Sequence, residues 1–223
     1  MIAAAPRGAR GLRRRRVKVF TPLIRIPRAP RAAAIVLLLA GACSSNPSPA
    51  SPGSPVRVVR LEFVPESETF AAAVGEYERI WATDAARIVR TMEEISGLRF
   101  SDTAVTAIVF EGVSSSGFRD VPMRLRASYP PDTKKATLIH ELGHRLQSPL
   151  FRRQDEEHGP LFLWLYDVWV RLYGKEFADA QVAIEKRRRG PYPRAWDEAL
   201  ALSPRERAER WKSIVANQRR MRK

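Results

Sequence analysis

Thiols, imidazoles and long apolar runs are all scarce in this chain of 223 residues. Cys43 is its one cysteine, so no disulfide can form within the chain. Outside a reducing compartment its stability must therefore come from core burial or from a bound ion. No apolar stretch approaches the roughly 20 residues a membrane-spanning helix needs. The longest, Ala32 to Ala42, covers eleven positions directly before Cys43. Acidic residues are missing from the first 42 positions, which carry ten Lys and Arg. Those ten account for most of the net charge of +15 and leave +5 on residues 43–223. With the basic character concentrated at one end, a nucleic-acid partner loses its main support, and none is expected.

What is present at the N-terminus is a basic run, a short apolar core and small residues before a cysteine, the make-up of an export signal. The stretch "LAGAC" ending in Cys43, followed by "SSNPSPASPGSP", resembles a bacterial lipoprotein signal. It carries one small residue more than the commonest form of that motif. The resemblance implies that residues 1–42 are removed, that Cys43 becomes the lipidated first residue, and that the protein is held outside the cytoplasm on a bacterial membrane, at the outer membrane or cell surface. Residues 43–55, with four prolines between Asn46 and Pro55, cannot bury apolar surface and read as a solvated tether. Residues 56–223 remain as one folded domain, long enough for a real core and expected to be monomeric.

Within that domain, alternation over Val56 to Val64 predicts a strand ending at Pro65. Val74, Tyr77, Trp81, Ala85, Ile88, Val89 and Met92 recur at helical spacing, with Gly97 placed to close the helix. Strands are expected over Ala104–Gly112 and Val121–Tyr129, separated by a turn at Ser114–Gly117. Asp132 is placed to cap the next helix. A long helix from Gly159 should break at Gly174 and be followed by one to about Arg189, with more helices from Trp196 and from Ser203-Pro204. The fold class is α+β: a small, mostly antiparallel sheet, then the helix carrying the motif below, then a helical C-terminal part. The tryptophans and Tyr166 read as core. The basic stretches Glu185–Gly190 and Asn217–Lys223 read as solvated helix ends that complement the helix dipole.

The informative stretch is "ATLIHELGHRLQ", Ala136 to Gln147. His140 and His144 are four apart and face the same way on a helix, so both imidazoles can reach one ion. Glu141 is turned about 100° from His140, which suits it to take a proton from the attacking water instead of ligating. Leu138, Leu142 and Leu146 give the helix an apolar face to pack inward. Three His and sixteen Glu would produce this pattern by chance with a probability of about 0.003. The only other histidine, His158, follows His144 by fourteen residues, across a loop long enough to bring it back to the same ion. Pro160 suits the first turn of the helix that His158 would enter.

H-E-x-x-H followed after a short loop by H-G-P-x-F (His158 to Phe162) is similar to the SprT-like zinc proteases, members of the wider zincin group. The resemblance covers Thr137 to Trp164 only. It implies that His140, His144 and His158 bind Zn2+, that Glu141 is the catalytic base, and that the chain is a zinc metallopeptidase acting on a peptide or protein substrate in the cell envelope. It further implies an edge strand ahead of the motif, for which Val121–Tyr129 is the candidate, able to pair with the substrate. A carboxylate remains open as third ligand: Glu157 and Asp155 first, then Glu156 and Asp167. Tyr192 is a candidate for stabilising the oxyanion. The alternative to an enzyme is a non-catalytic zincin-like lipoprotein that serves as a binding or structural module of the envelope.

Overall fold

The computed structural model describes residues 59–116, 121–151 and 158–222. The expected signal and tether, residues 1–55 with Cys43, lie outside the described residues, as do Asp155, Glu156 and Glu157. The chain enters through β1 (Arg60–Pro65), crosses by α1 (Ala71–Ser96) to β2 (Ala104–Phe110), and adds a short β3 (Met123–Arg126). Five helices follow: α2 (Pro131–Gln147), α3 (His158–Tyr173), α4 (Lys175–Glu185), α5 (Tyr192–Leu200) and α6 (Pro204–Arg220).

The three strands lie in the order β1-β2-β3 and both pairs are parallel. This corrects the expectation of a mostly antiparallel sheet. Alternation of side chains reports that a segment is a strand, not which way it runs; the connection decides that. The 26 residues of α1 return the chain to the end at which β1 began, so β2 starts alongside it. After β2 the expected turn, Ser114–Gly117, is described only as far as Ser116. Within it Ser115 runs antiparallel beside β3, exchanging both backbone hydrogen bonds with Arg124 at 2.8 and 3.0 Å. The predicted strand Val121–Tyr129 thus shrinks to four residues with its outer edge engaged. The Arg126 amide donates to Ser114 Oγ, and Tyr77 donates to the Arg126 carbonyl.

Val105, Ala107, Val109, Met123 and Leu125 put the sheet's buried face against α1 and α2. α3 is apolar almost all round: Leu161, Phe162, Trp164, Leu165, Val168 and Trp169 are at most 1 % exposed. Such a helix must sit at the centre, and it packs on α1, α2, α4, α5 and α6. Gly97 closes α1 in the left-handed conformation (φ 67°), and Ser203 with Glu206 forms a capping box on α6. Gly174 breaks the helical run as expected (φ 88°), and α4 then stops at Glu185, short of Arg189. The cap of α2 also differs: Pro130 holds that place, and Asp132 lies within the first turn, where its charge still suits the dipole.

Candidate metal centre

α2 is buried along nearly its whole length, so its histidines are held by a helix with little freedom to move. His140 and His144 lie on its last two turns, and His158 is the first residue of α3. Gly143, between the two motif histidines, lets α3 approach. A methyl group there would meet Leu161 Cδ1 at 2.6 Å and the Trp164 ring at 3.2 Å. The close crossing brings the start of α3 against the end of α2. One ring nitrogen from each of His140, His144 and His158 falls within 4.8 Å of the others, close enough to hold one metal ion. Nε2 of His140 and of His144 are 3.1 Å apart.

Two of the three donors fit a metal in their protonation as well as their spacing. Ligation needs the neutral imidazole. Burial, reinforced by His140, holds His144 well below the usual histidine range. Burial and the same neighbour push His158 down to about 4. Its Nε2 is buried without a hydrogen-bond partner among the described residues, a polar atom left for an ion. His140 differs. Burial opposes its charge, but the Glu185 carboxylate beside it outweighs that and holds the imidazole above its usual range. Nδ1 of His140 lies 2.8 Å from Glu185 Oε1. That bond fixes the Nδ1–H tautomer and turns Nε2 towards the cluster. The other oxygen of Glu185 accepts from Trp196 Nε1 at 2.9 Å. Trp196 in turn stacks on Phe162, with ring centroids 3.9 Å apart and planes 8° from parallel.

Glu141, 3 % exposed, borders a cleft of about 160 Å³ together with His144, His158, Tyr192 and Ser114 to Ser116. Burial pushes its carboxyl up to about 7, against the opposing pull of His140 and Arg188. Tyr192, the first residue of α5, has its ring 4.5 Å from that of His158 and 6.1 Å from that of His140. Burial raises its hydroxyl to about 12, so it stays a neutral O–H donor near pH 7.

Of the carboxylates considered as third ligand, Asp167 is committed elsewhere. It accepts from Arg207 at 2.5 and 3.1 Å and ties α6 to α3. Tyr166 is buried as expected, its hydroxyl donating to Asp179. Glu185, Trp196 and the Ser114–Ser116 segment escaped the sequence reading, which had them as a solvated helix end, plain core and a turn. For Glu185 a signal existed: with Ala178 and Val182 it continues the buried face of α4 at helical spacing, and an acid on such a face asks for a partner.

No family model matches this chain, and neither a curated protein nor a solved structure matches it. The molecule is thus a mixed α/β protein, mostly helical, with a small parallel sheet and a three-histidine cluster able to hold a metal ion.

Proposed function

We propose that the chain is a zinc metallopeptidase of the zincin type. The observation that carries this is the cluster of three imidazoles, two of which border one cleft together with the buried Glu141. Three imidazoles, each neutral once it ligates, are a donor set that suits zinc in a catalytic site, where one position is left open. Bound there, zinc would supply a lowered pKa for water and polarisation of the scissile carbonyl. Glu141 takes the proton of the attacking water and hands it to the leaving nitrogen; a carboxyl near neutrality suits both directions. The Tyr192 hydroxyl donates to the oxygen that gains negative charge. Glu185, oriented by Trp196, keeps His140 in register and acts through it as a positioning residue. The outer edge of β3 is occupied by Ser115, so the backbone of Ser114–Ser116, which borders the cleft, takes over the role expected of Val121–Tyr129 and lies against an extended peptide.

The test loads the purified chain with zinc, removes the excess and follows cleavage of an unfolded protein substrate. Hydrolysis should fall by at least about a hundredfold in Glu141→Gln, with zinc retained at one per chain. His158→Ala should lose zinc. Full binding without hydrolysis would turn the reading into that of a non-catalytic binding module; zinc held undiminished in His158→Ala would sink the three-histidine site. The proposal includes a lipid anchor on Cys43 outside the cytoplasm, supported by the sequence of residues 32–43. Cys43→Ser should move the protein from the membrane fraction to the soluble one.

A further inference from the structure

Arg188 lies in the turn after α4, three residues beyond Glu185, and its guanidinium sits over the Tyr192 ring at 5.4 Å from the centroid. That ring is 4.5 Å from the His158 imidazole. The guanidinium therefore stands within about 10 Å of a candidate ligand, the span of roughly three residues of extended chain. Its charge acts on His140, Glu141, His158 and Glu185 together, the groups around the candidate centre.

What sets Arg188 apart is its lack of an acid. Lys134, Arg145 and Arg207, the buried cations, each meet a carboxylate: Glu76, Asp102 and Asp167. Arg188 is half-buried, yet no carboxylate among the described residues is within ion-pair distance of it. Glu185, the nearest acid in sequence, already uses one oxygen on His140 and the other on Trp196. The guanidinium has five N–H donors; Glu185 acts on its charge from beyond ion-pair distance, and its close contact is with the Tyr192 ring. A planar fork of that kind fits a carboxylate at both oxygens.

We infer that Arg188 receives a carboxylate of the substrate peptide, carried within three residues of the bond that is cut. The carboxylate is either the free C-terminus, as in an exopeptidase, or an Asp or Glu side chain. This rests on the peptidase reading and deepens it, by making Arg188 a specificity residue. A peptide with no carboxylate at that distance leaves the guanidinium partly out of water and unpaired, and binds more weakly.

The experiment measures binding, so that it does not depend on turnover. Three short peptide hydroxamates are titrated calorimetrically into the zinc-loaded full chain. One has a free C-terminus, one is its C-terminal amide, and one is an amide with a Glu side chain near the C-terminus. One carboxylate probe should bind at least about tenfold tighter than the neutral amide, and which one does so identifies the source. Arg188→Gln should bring the three to equal affinity, and Arg188→Lys should keep part of the preference. If Arg188 merely offset the Glu185 charge, Arg188→Gln would shift melting temperature or zinc affinity and leave the ratio of carboxylate to amide probe unchanged. Equal binding of all three by the wild type, a preference that survives Arg188→Gln, or binding of none would overturn the inference. Peptide hydrolysis is scored separately. Its absence with the preference intact would defeat the peptidase reading alone, and hydrolysis without the preference would defeat only the role of Arg188.

Discussion

Along α2 and α6, buried cations are met head-on by carboxylates: Lys134 by Glu76, Arg145 by Asp102, and Arg207 by Asp167. A few residues further along α2 the treatment is opposite. Glu141 is as deeply buried as Arg145, yet it has no cation within ion-pair distance among the described residues, and the Nε2 of His158 has no partner there at all. On α2 the two kinds of site stand side by side at the same degree of burial: Arg145 faces a carboxylate and Glu141 faces no cation at ion-pair distance among the described residues. Paired charges fix how helices sit on one another and leave nothing free for chemistry. Groups left unpaired cost stability, and a fold that keeps them does so where a ligand can complete the set.

That contrast can be broken from either side. The largest effect should come from the paired region. Asp167→Ala leaves Arg207 buried without its partner and should cost roughly 3–5 kcal/mol in urea unfolding, with zinc binding by the folded molecules unchanged. At the centre the sign should reverse. Glu141 is held at about 7 against 4.5 in the unfolded chain, so between those values the native state carries the extra proton. The contribution of Glu141 to the stability of the metal-free wild type therefore falls as pH rises from about 4.5 to about 7, and comparison with a variant at this position isolates it from the opposing histidines. Glu141→Gln, which needs no proton, should be more stable by about 3 kcal/mol at pH 8, a gain that fades towards pH 4.5. On the proposed peptidase reading, the pH–rate profile of zinc-loaded protein should show an acid limb that rises as Glu141 ionises, displaced below 7 by the charge of the ion.

Smaller effects sharpen the comparison. Glu185→Gln keeps an acceptor for His140 but removes the charge, and should weaken zinc about 10–100-fold in competition with a chelator. Gly143→Ala gains helix propensity and meets Leu161 and Trp164, for a net loss of about 1 kcal/mol in thermal unfolding. It should also weaken zinc, because α3 carries His158 away as it gives.

The histidine cluster was clearer in the sequence than the frame around it. H-E-x-x-H fixes two imidazoles on one helix face by period alone, and with only three histidines in the chain the third had a single candidate. Gly174, Gly97 and Ser203 announced helix ends through local backbone chemistry. Strand direction was not legible, because it depends on where the 26 residues of α1 deliver the chain and on Ser115 filling an edge the pattern left open. Glu185 and Trp196 reach His140 from 45 residues and more along the chain, and no local period encodes such a meeting. Tyr192 was named from sequence, and the fold brings it to the cleft.

Every imidazole of the chain stands at this one place. A histidine-selective signal therefore reads the centre and nothing else: three ring resonances in a proton spectrum, or three sites of acylation by a carbonate reagent. Occupancy, tautomer and exchange could be followed on the native protein with no labelled variants and no background to subtract. The same economy carries a practical warning. An oligohistidine purification tag would bury those three signals under its own and compete for the metal, so the protein is best purified through another handle.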